Sequence, residues 1–239
     1  MRKDLQALQH NYYTLRANSY DEAHVEIDDE HYTALKYVSM FASQSQVSNI
    51  LDVGCGTGRA VRYLMEKNFA VTGIEPVAAM IEQAIERNGI PEEVMVTGSG
   101  EALPFPDCSF DAVCEFGVLH HVQRPDRVLS EMMRVARKAI FLSDENRFGM
   151  GSTPARLAKL LLCKAGVFKS FYYVKTLGKG YRYSEGDGIA YSYSIYDAYE
   201  ALAEWADRIV LIPTANPIRK SWFHPLLNST HALICALRE

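Results

Sequence analysis

Residues 50–60 read ILDVGCGTGRA, an apolar run that ends in three closely spaced glycines and continues into residues that favour a helix. Glycine lets the backbone turn sharply and approach a ligand, and the first turn of a helix offers unpaired N–H groups. The stretch therefore predicts a strand, a ligand-binding loop and a helix. A dinucleotide fingerprint, G-x-G-x-x-G, would need its third glycine at position 59, where this chain has Arg59. The spacing argues against a nicotinamide-binding loop.

Short apolar runs alternate with amphipathic stretches on both sides of this loop. The runs that we predict as strands are NILDV (49–53), FAVTGIE (69–75), VMVTG (94–98), FDAVCEF (110–116), KAIFLSD (138–144), RIVLIP (208–213) and HALICAL (231–237). The predicted helices lie near 57–67, 77–87, 125–136 and 195–205. Continuous apolar strands separated by helices are typical of a parallel sheet covered on both faces. We therefore predict an α/β chain with a Rossmann-like, doubly wound, mostly parallel seven-stranded sheet.

Two parts of the chain depart from this alternation. Residues 1–43 mix polar and apolar residues at helical spacing, and we predict that they form an N-terminal helical lid. Residues 147–193 interrupt the pattern after the fifth strand. An insertion at that point emerges at the carboxyl edge of the sheet, where ligands bind in such folds. We therefore predict a single domain over residues 1–239 with an inserted substrate cap over 147–193.

The predicted cap has an unusual composition. The chain has a formal net charge of −4, yet residues 147–183 contain eight lysines and arginines and no aspartate or glutamate. The stretch ARLAKLLLCKAGVFKSF, residues 155–171, predicts either a helix packed on the core or a helix on a membrane surface. We favour packing on the core, because Lys164 interrupts the apolar side, and we keep peripheral membrane contact as the alternative.

Tyrosines are concentrated in the second half of the cap and just beyond it. Eight of the fourteen lie between Tyr172 and Tyr199. A tyrosine ring combines an apolar face with a polar tip, which suits a pocket for an aromatic or amphiphilic molecule. The alternation of tyrosines over 181–183 and 191–193 equally suits a plain β-hairpin that turns at SEGDG, residues 184–188. The pattern leaves a pocket-forming hairpin and a purely structural hairpin open.

Composition and cysteine usage narrow the class of protein. With 48% hydrophobic and 23% charged residues, the chain has the composition of a folded globular protein rather than a disordered one. Its five cysteines have no C-x-x-C spacing, which argues against a disulfide framework and a zinc site, and we predict no metal. The N-terminus lacks the apolar segment of an export signal, and no apolar run approaches a membrane span. We predict a cytoplasmic protein without a transmembrane segment.

An acidic residue ends the second predicted strand. Glu75 lies 21 residues after Gly54, at the carboxyl edge of the sheet. A carboxylate in this place can accept two hydrogen bonds from a ribose diol, in a dinucleotide or in another adenosine ligand. Together with the glycine loop, Glu75 predicts an adenosine-containing cofactor.

Several motifs occur in order and at suitable spacing: DVGCGTG at 52–58, the acidic Glu75, GSGEALPFPDCSFDAV at 98–113 and VLHHV at 118–122. Through them the chain resembles the class I S-adenosylmethionine-dependent methyltransferases, specifically the broad small-molecule group with a methyltransferase type 11 core. The resemblance covers about residues 49–144. It implies S-adenosylmethionine as the cofactor and a small molecule as the methyl acceptor.

The resemblance also implies roles for the residues of the glycine loop. Gly54, Gly56 and Gly58 would pack against the methionine part of the cofactor. Asp52, at the end of the preceding strand, would orient the loop and the amino group of the cofactor.

Further cofactor contacts are implied along the edge of the sheet. Glu75 would hold the ribose hydroxyls, and Ser99 and Gly100 would flank the adenine. Many members of the family have an aspartate where this chain has Ser99, whose hydroxyl is a weaker acceptor than a carboxylate. Glu115 would line the site near the sulfonium, and Tyr20, in the N-terminal lid, would cover the methionine end.

Candidates for proton transfer lie at the carboxyl ends of the fourth and fifth strands. His120 and His121 follow the fourth strand, where they either pack in the loop or transfer a proton. Asp144 and Glu145 end the fifth strand and either face a substrate or brace the following turn. A base is unnecessary when the acceptor is a phenolate, thiolate or stabilised carbanion. We name the two histidines as the catalytic candidates.

The function that we predict is methyl transfer to a small molecule that is phenolic, anionic or amphiphilic. Two other functions stay open: a NAD-dependent Rossmann oxidoreductase, and a non-catalytic module that binds a cofactor or RNA. Arg59 argues against the oxidoreductase. The basic residues of 147–183 are interleaved with aliphatic residues and no RNA-binding motif is present, so a nucleic-acid partner is disfavoured.

Overall fold

A seven-stranded sheet forms the centre of the molecule in the computed structural model, which describes residues 2–24, 29–215 and 228–238. The strands of this sheet are β1 (Asn49–Val53), β2 (Ala70–Glu75), β3 (Met95–Thr97), β4 (Phe110–Phe116), β5 (Ala136–Glu145), β8 (Arg208–Pro213) and β9 (His231–Leu237). They are ordered β3–β2–β1–β4–β5–β9–β8. The first five run parallel, whereas β9 is antiparallel to both β5 and β8. The predicted α/β class with a mostly parallel seven-stranded sheet is confirmed.

Nine α-helices occur in the described residues. They are α1 (Arg2–Arg16), α2 (Tyr20–His24), α3 (Glu30–Gln44), α4 (Arg59–Glu66), α5 (Ala78–Glu86), α6 (Pro125–Val135), α7 (Thr153–Lys164), α8 (Phe168–Lys175) and α9 (Tyr199–Trp205). Helix α4 begins two residues later than predicted, because Gly58 precedes it in the left-handed conformation, with φ of +82°. The predicted helix near 195 begins as a 3₁₀ turn, Ile195–Ala198, before α9.

Helices cover both faces of the sheet, as the apolar strands predicted. On one face, Leu35 and Val38 of α3 pack with Leu64 of α4 in the first core cluster. On the other face, Met132 of α6 and Leu202 of α9 pack in the second cluster. All of these side chains are fully buried, and each contributes about 1.5–3 kcal/mol to folding through burial. The two clusters hold the carboxyl edge of the sheet in a fixed shape.

The N-terminal stretch divides into two parts with different positions. Helix α3 belongs to the core, since Ala34, Leu35, Val38 and Ala42 are all fully buried. Helix α1 lies instead beside the carboxyl edge of the sheet, against α5 and the hairpin described next. Of the predicted lid over 1–43, α1 lies beside this edge and α3 does not. Residues 1 and 25–28 of that stretch lie outside the described residues.

The inserted segment contains two helices and a hairpin. Strands β6 (Tyr181–Ser184) and β7 (Gly188–Tyr191) pair antiparallel around the predicted SEGDG turn. Helix α7 has no fully buried residue, but its Leu160 and Leu162 are half-buried and it contacts the turn Arg147–Gly149, so a helix packed on the core stays a prediction for α7. In α8, Phe168 is the residue that is buried. None of the helices in the described ranges combines the length and the apolarity needed to cross a bilayer.

Candidate functional site

The loop between β1 and α4 is shaped by three glycines with positive φ. Gly54 has φ of +72°, and its N–H donates to the Ile74 carbonyl oxygen at 2.8 Å. A Cβ atom at Gly54 would lie 2.6 Å from a methyl group of Val118, closer than any side chain tolerates. The loop therefore packs directly against the segment that follows β4, and only glycine fits at this position.

Glu75 closes the opposite side of the loop. Its Oε2 accepts a hydrogen bond from Gly56 N at 3.1 Å, and its Oε1 accepts one from Val77 N at 3.0 Å. Burial raises the pKa of the Glu75 carboxyl to about 7, against the opposing effect of these two N–H donors. Each oxygen keeps a second lone pair, so the carboxylate can accept further hydrogen bonds from a ligand.

A cavity of about 350 Å³ lies between the glycine loop, Glu75 and the N-terminal helix. Its sheet side contains Gly54, Gly56, Glu75, Ser99 and Gly100, all predicted to contact the cofactor. The structure brings these five positions together at the carboxyl ends of β1, β2 and β3. The wall also contains apolar side chains, which are those of Val53, Val77, Met80, Val118, Val122 and Val128. A mostly apolar wall with a few placed polar groups is typical of small-molecule sites.

Helix α1 and the hairpin form the other side of the cavity. Gln9 Oε1 accepts a hydrogen bond from Ile189 N at 2.7 Å, and both residues line the cavity. The Tyr12 hydroxyl donates to the Glu185 carbonyl oxygen at 3.2 Å. These contacts join the N-terminal helix to an element about 180 residues later in the chain. Two segments that lie far apart in the sequence therefore close the cavity together.

Tyr20, predicted to cover the methionine end of the cofactor, lies on the cavity wall. Its ring packs edge-on against Tyr13, with centroids 6.0 Å apart, and burial raises the pKa of Tyr20 to about 12. The adjacent Asp21 accepts hydrogen bonds from Thr57 in the glycine loop and from Asn88 after α5. The segment that contains Tyr20 is thus tied to the loop beneath it.

Three predicted cofactor contacts do not lie on this wall. Asp52 and Glu115 are buried beneath the sheet edge, and a Cβ at Gly58 would meet Ile90 behind the loop at 2.9 Å. Burial raises the pKa of Asp52 to about 7, and the Cys114 thiol is 3.8 Å from its Oδ1. The geometry gives Asp52 and Gly58 a place in the support of the loop rather than in the cavity wall.

Glu115 is the most completely enclosed of these acids. Its Oε2 accepts a hydrogen bond from Val118 N at 2.9 Å, while Oε1 has no hydrogen-bond partner among the described residues. Burial, and then the nearby Asp144, hold the pKa of Glu115 well above its usual range. Through its bond to Val118 N, the Glu115 carboxyl braces the turn that begins at Gly117.

The two histidines named as catalytic candidates occupy different positions. His121 lines the cavity, whereas His120 lies behind it and is buried. His121 Nδ1 is 2.7 Å from the Ile189 carbonyl oxygen, and its Nε2 is 3.3 Å from Asp187 Oδ1. Both ring nitrogens of His121 thus face the hairpin, which fits a role in holding the hairpin over the cavity.

His120 forms a buried pair with Asp144. Its Nδ1 is 2.7 Å from Asp144 Oδ1, and Asp144 Oδ2 accepts from the backbone N–H groups of Leu119 and His120. Burial by itself lowers the pKa of His120, but the Asp144 carboxylate outweighs it and raises the pKa to about 9. His120 is therefore protonated at neutral pH and unable to accept a proton. Glu145, the other acid named here, is half-buried beside this pair.

The sequence did not predict a further histidine that lies near the cavity. His31, at the start of α3, lies with its Nδ1 3.0 Å from the Ser143 hydroxyl, and burial lowers its pKa well below the usual range. Its ring packs against His231, at the start of β9. Potential metal-ligand atoms of Glu30, His31 and His231 lie within 4.8 Å of one another. These residues meet because β9 pairs with β5, and no local sequence pattern predicts that pairing.

Two further wall residues, Gln9 of α1 and Ile189 of β7, were not predicted. They belong to no motif, and the only signal for Ile189 was the break in the strand–helix alternation.

A second, larger cavity of about 1300 Å³ lies beside the first. The two share Val122, Gln123 and Tyr191 in their walls, so they are separated by little more than these side chains. Six of the tyrosines that cluster in the sequence line the second cavity, namely Tyr172, Tyr173, Tyr191, Tyr193, Tyr196 and Tyr199. The tyrosine-rich segment thus forms a hairpin and also part of a pocket wall. Each of the two interpretations that the sequence left open describes a part of it.

Comparison with known proteins identifies the type of domain. Residues 51–142 match the family described as a methyltransferase domain. An uncharacterized methyltransferase of Mycobacterium tuberculosis is 34% identical over 88 residues, which is 37% of this chain and 35% of that protein. A phosphatidylethanolamine N-methyltransferase of Cereibacter sphaeroides is 33% identical over 119 residues, 48% of this chain and 58% of that protein. The matched segments thus span from about a third to just over half of these relatives.

One solved structure is similar over nearly the whole chain. It is the magnesium protoporphyrin IX methyltransferase of Synechocystis, crystallised with bound S-adenosylhomocysteine, and it superposes with a TM-score of 0.62 over 98% of this chain and 99% of that one. The two sequences are 16% identical, so the likeness concerns the fold.

Proposed function

We propose that this chain, which carries the domain of the class I S-adenosylmethionine-dependent methyltransferases, transfers a methyl group to a small amphiphilic or phenolic molecule. The cofactor of this family, S-adenosylmethionine, supplies an activated methyl group on a positively charged sulfur. The observation that carries the proposal is the enclosed cavity of about 350 Å³ in which the glycine loop and Glu75 meet.

The described residues fit this cofactor. Glu75 would hold the ribose hydroxyls, because its two oxygens are already oriented by Gly56 N and Val77 N and keep free lone pairs. The backbone of Gly54 and Gly56 would face the methionine part, with Tyr20 covering it. Ser99 and Gly100, on the same wall, would flank the adenine.

The second cavity is the proposed site of the methyl acceptor. Its tyrosine rings offer apolar faces with hydroxyl tips, which suit a molecule with an apolar body and a few polar groups. Lys169 on its wall would favour an anionic or phenolic group. An acceptor held there would approach the first cavity past Tyr191, which belongs to both walls.

The chain's own contribution to the reaction is alignment and the exclusion of water. Methyl transfer needs the nucleophile in line with the methyl group, and holding two reactants in this geometry accounts for a large part of the rate enhancement. The Gln9–Ile189 contact and the His121–hairpin contacts would keep the site closed during transfer. The protonated His120 would act as a positioning residue that fixes the turn beneath His121 through Asp144.

Calorimetry with the full chain tests the cofactor first. We expect S-adenosylmethionine and S-adenosylhomocysteine to bind and NAD to give no heat. Binding of NAD alone would favour an oxidoreductase and overturn the proposal. Transfer of a radiolabelled methyl group from S-adenosylmethionine to a panel of phenols, fatty acids and amino-containing amphiphiles then tests the acceptor. Turnover confined to small hydrophilic amines would contradict the assignment of the tyrosine-lined cavity.

A further inference from the structure

Helices α7 and α8 present an exposed apolar surface on the outside of the molecule. We call it the α7–α8 surface, and its apolar side chains are Leu157, Leu161, Val167, Phe171, Tyr173, Val174 and Leu177. Leu161 is 68% exposed, Val174 73% and Leu177 89%. Exposure of single apolar residues is ordinary, but seven exposed apolar residues within a 21-residue segment are more than scattered exposure gives, and such clusters usually mark a contact site.

The spacing of these residues puts them on common helix sides. Leu157 and Leu161 are four residues apart on α7, and Phe171 and Val174 are three apart on α8, so each pair shares one side of its helix. On α7, Leu160 and Leu162 are half-buried, whereas Leu157 and Leu161 are exposed. Packing within the fold therefore gives no reason for the apolar character of Leu157 and Leu161.

Cations alternate with the apolar side chains along this segment, and residues 147–183 contain no aspartate or glutamate. Five of the eight basic residues of this segment are exposed, and they are Lys164, Lys169, Lys175, Lys179 and Arg182. Arg147 is instead buried and paired with Asp197, while the Lys159 ammonium donates to the carbonyl oxygens of Arg147 and Met150. Arg147 and Lys159 therefore hold the segment in place, Lys169 lies on the wall of the second cavity, and the other four exposed cations lie outside both cavity walls.

We propose that the α7–α8 surface docks on an anionic lipid bilayer. Apolar side chains flanked by lysines match the two layers of such a bilayer, the acyl region and the charged headgroups. Long lysine side chains can keep their ammonium groups at headgroup level while their stems lie beside apolar neighbours, so Lys164 next to Leu161 is compatible with this orientation. The formal net charge of the chain is −4, so this cationic segment is the part complementary to an anionic surface.

The same segment also contributes to the second cavity. Phe168, Lys169, Tyr172 and Tyr173 of α8 line it, and Tyr173 is at the same time an exposed member of the α7–α8 surface. Docking in this orientation would bring the cavity wall to the headgroup region. This relation goes beyond the proposed methyl transfer, and the docking itself does not depend on it.

Co-sedimentation of the full chain with vesicles tests the proposal. One set of vesicles is pure phosphatidylcholine, and the other contains about a third phosphatidylglycerol. We expect the chain to sediment with the anionic vesicles only, and about 0.5 M NaCl to reduce the bound fraction. Absence of sedimentation with anionic vesicles at low salt overturns the proposal.

Matched variants distinguish a specific role of the α7–α8 surface from a general effect of charge or apolarity. The double variant Lys164→Glu/Lys175→Glu should lower the partition coefficient more than about 25-fold, since each lysine near an anionic surface contributes about fivefold. Arg62→Glu/Lys67→Glu changes the net charge equally on α4 and should have little effect. Leu161→Ser/Leu177→Ser should also abolish sedimentation, whereas Met40→Ser, on the exposed side of α3, should not. Equal losses in the control variants overturn the proposal.

Three further readouts keep the outcome unambiguous. Unchanged circular dichroism shows that each variant is folded. Light scattering detects a dimer, and a wild-type dimer that Leu161→Ser/Leu177→Ser converts to monomer would mean that a second copy covers the surface, contrary to the proposal. Preference for RNA over anionic vesicles in a competition assay would likewise overturn it. None of these measurements requires the cofactor or the acceptor, so their failure is distinct from failure of the proposed methyl transfer.

Discussion

The Asp144 carboxylate lies 2.7 Å from the Nδ1 atom of His120, and both side chains are buried at the carboxyl ends of β4 and β5. The pair holds a positive charge and a negative charge together inside the fold. It also anchors the turn of Leu119 and His120, whose backbone N–H groups donate to Asp144. The structure thus assigns His120 to the support of the cavity rather than to its wall.

The His120–Asp144 pair should make stability depend on pH. The pKa of His120 is about 9 in the folded chain, against an ordinary value of about 6.5 when unfolded. A raised pKa stabilises the fold fully below pH 6.5, and that contribution, about 3 kcal/mol, is lost as the pH rises through 9. Urea unfolding of the wild type and of His120→Gln/Asp144→Asn between pH 6 and 9.5 measures it. A constant difference between the two over this range would contradict the ion pair.

Glu75→Gln should weaken binding of S-adenosylmethionine at least tenfold. The amide keeps one acceptor oxygen but replaces the other with a donor, and a charge-assisted hydrogen bond to a ligand contributes about 1.5–3 kcal/mol. The variant should also be less stable than the wild type, because Gly56 N and Val77 N both donate to this carboxylate. Calorimetry measures the affinity, with Glu82→Gln on the exposed side of α5 as control. Equal affinities for Glu75→Gln and wild type would remove Glu75 from the cofactor site.

Gly54→Ala should destabilise the fold more than Gly89→Ala does. Both glycines have positive φ, +72° and +67°, so both alanines cost about 1–2 kcal/mol in backbone strain. Only at Gly54 would the new Cβ also collide with Val118, at 2.6 Å, while nothing lies within 4 Å at Gly89. Overpacking adds about 1–3 kcal/mol. Urea denaturation compares the two variants, and Gly54→Ala/Val118→Ala should recover part of the loss. A Gly54→Ala cost no larger than that of Gly89→Ala would mean that the loop shifts freely.

Gln9→Ala should loosen the closure of the cavity. It removes the acceptor of the Ile189 N–H group, and a hydrogen bond of this kind contributes about 0.5–1.5 kcal/mol net, equivalent to about a two- to tenfold loss of cofactor affinity if closure accompanies binding. Limited proteolysis in the presence and absence of S-adenosylhomocysteine reports on the hairpin, and Gln44→Ala at the exposed end of α3 serves as control. Unchanged affinity together with an unprotected hairpin would show that the hairpin does not close over the cofactor.

Tyr172→Ala should raise the KM for the acceptor identified by the methyl-transfer assay and leave the affinity for S-adenosylmethionine unchanged. Tyr172 lines the second cavity and not the first, and truncating it removes one apolar face of the proposed acceptor site. Burial of an aromatic ring against a ligand corresponds to roughly a tenfold effect or more. Tyr37→Ala, on the outer side of α3, is the control. A fall in cofactor affinity with an unchanged KM would place the acceptor elsewhere.

The sequence by itself determined the sheet and the site's position on it. Apolar runs and glycine spacing are local patterns, because they arise from the period of a strand and from the conformations that glycine alone adopts. Six strands match their predicted bounds to within a residue at each end, and Glu75 ends its strand beside the glycine loop. These features depend on residues close together in the chain, so a single sequence is sufficient to predict them.

Only the tertiary structure decided which side chains face the cavity. Asp52 and Glu115 lie one residue before the ends of their strands and Glu75 ends its strand, yet only Glu75 lies on the wall and the other two are buried behind it. The partnership of Gln9 with Ile189 joins two segments with no common motif. The outward face of α7 likewise depends on how the insertion packs, since the same amphipathic pattern suits a core helix and a surface helix. Such relationships come from long-range packing, which periodicity along one chain does not encode.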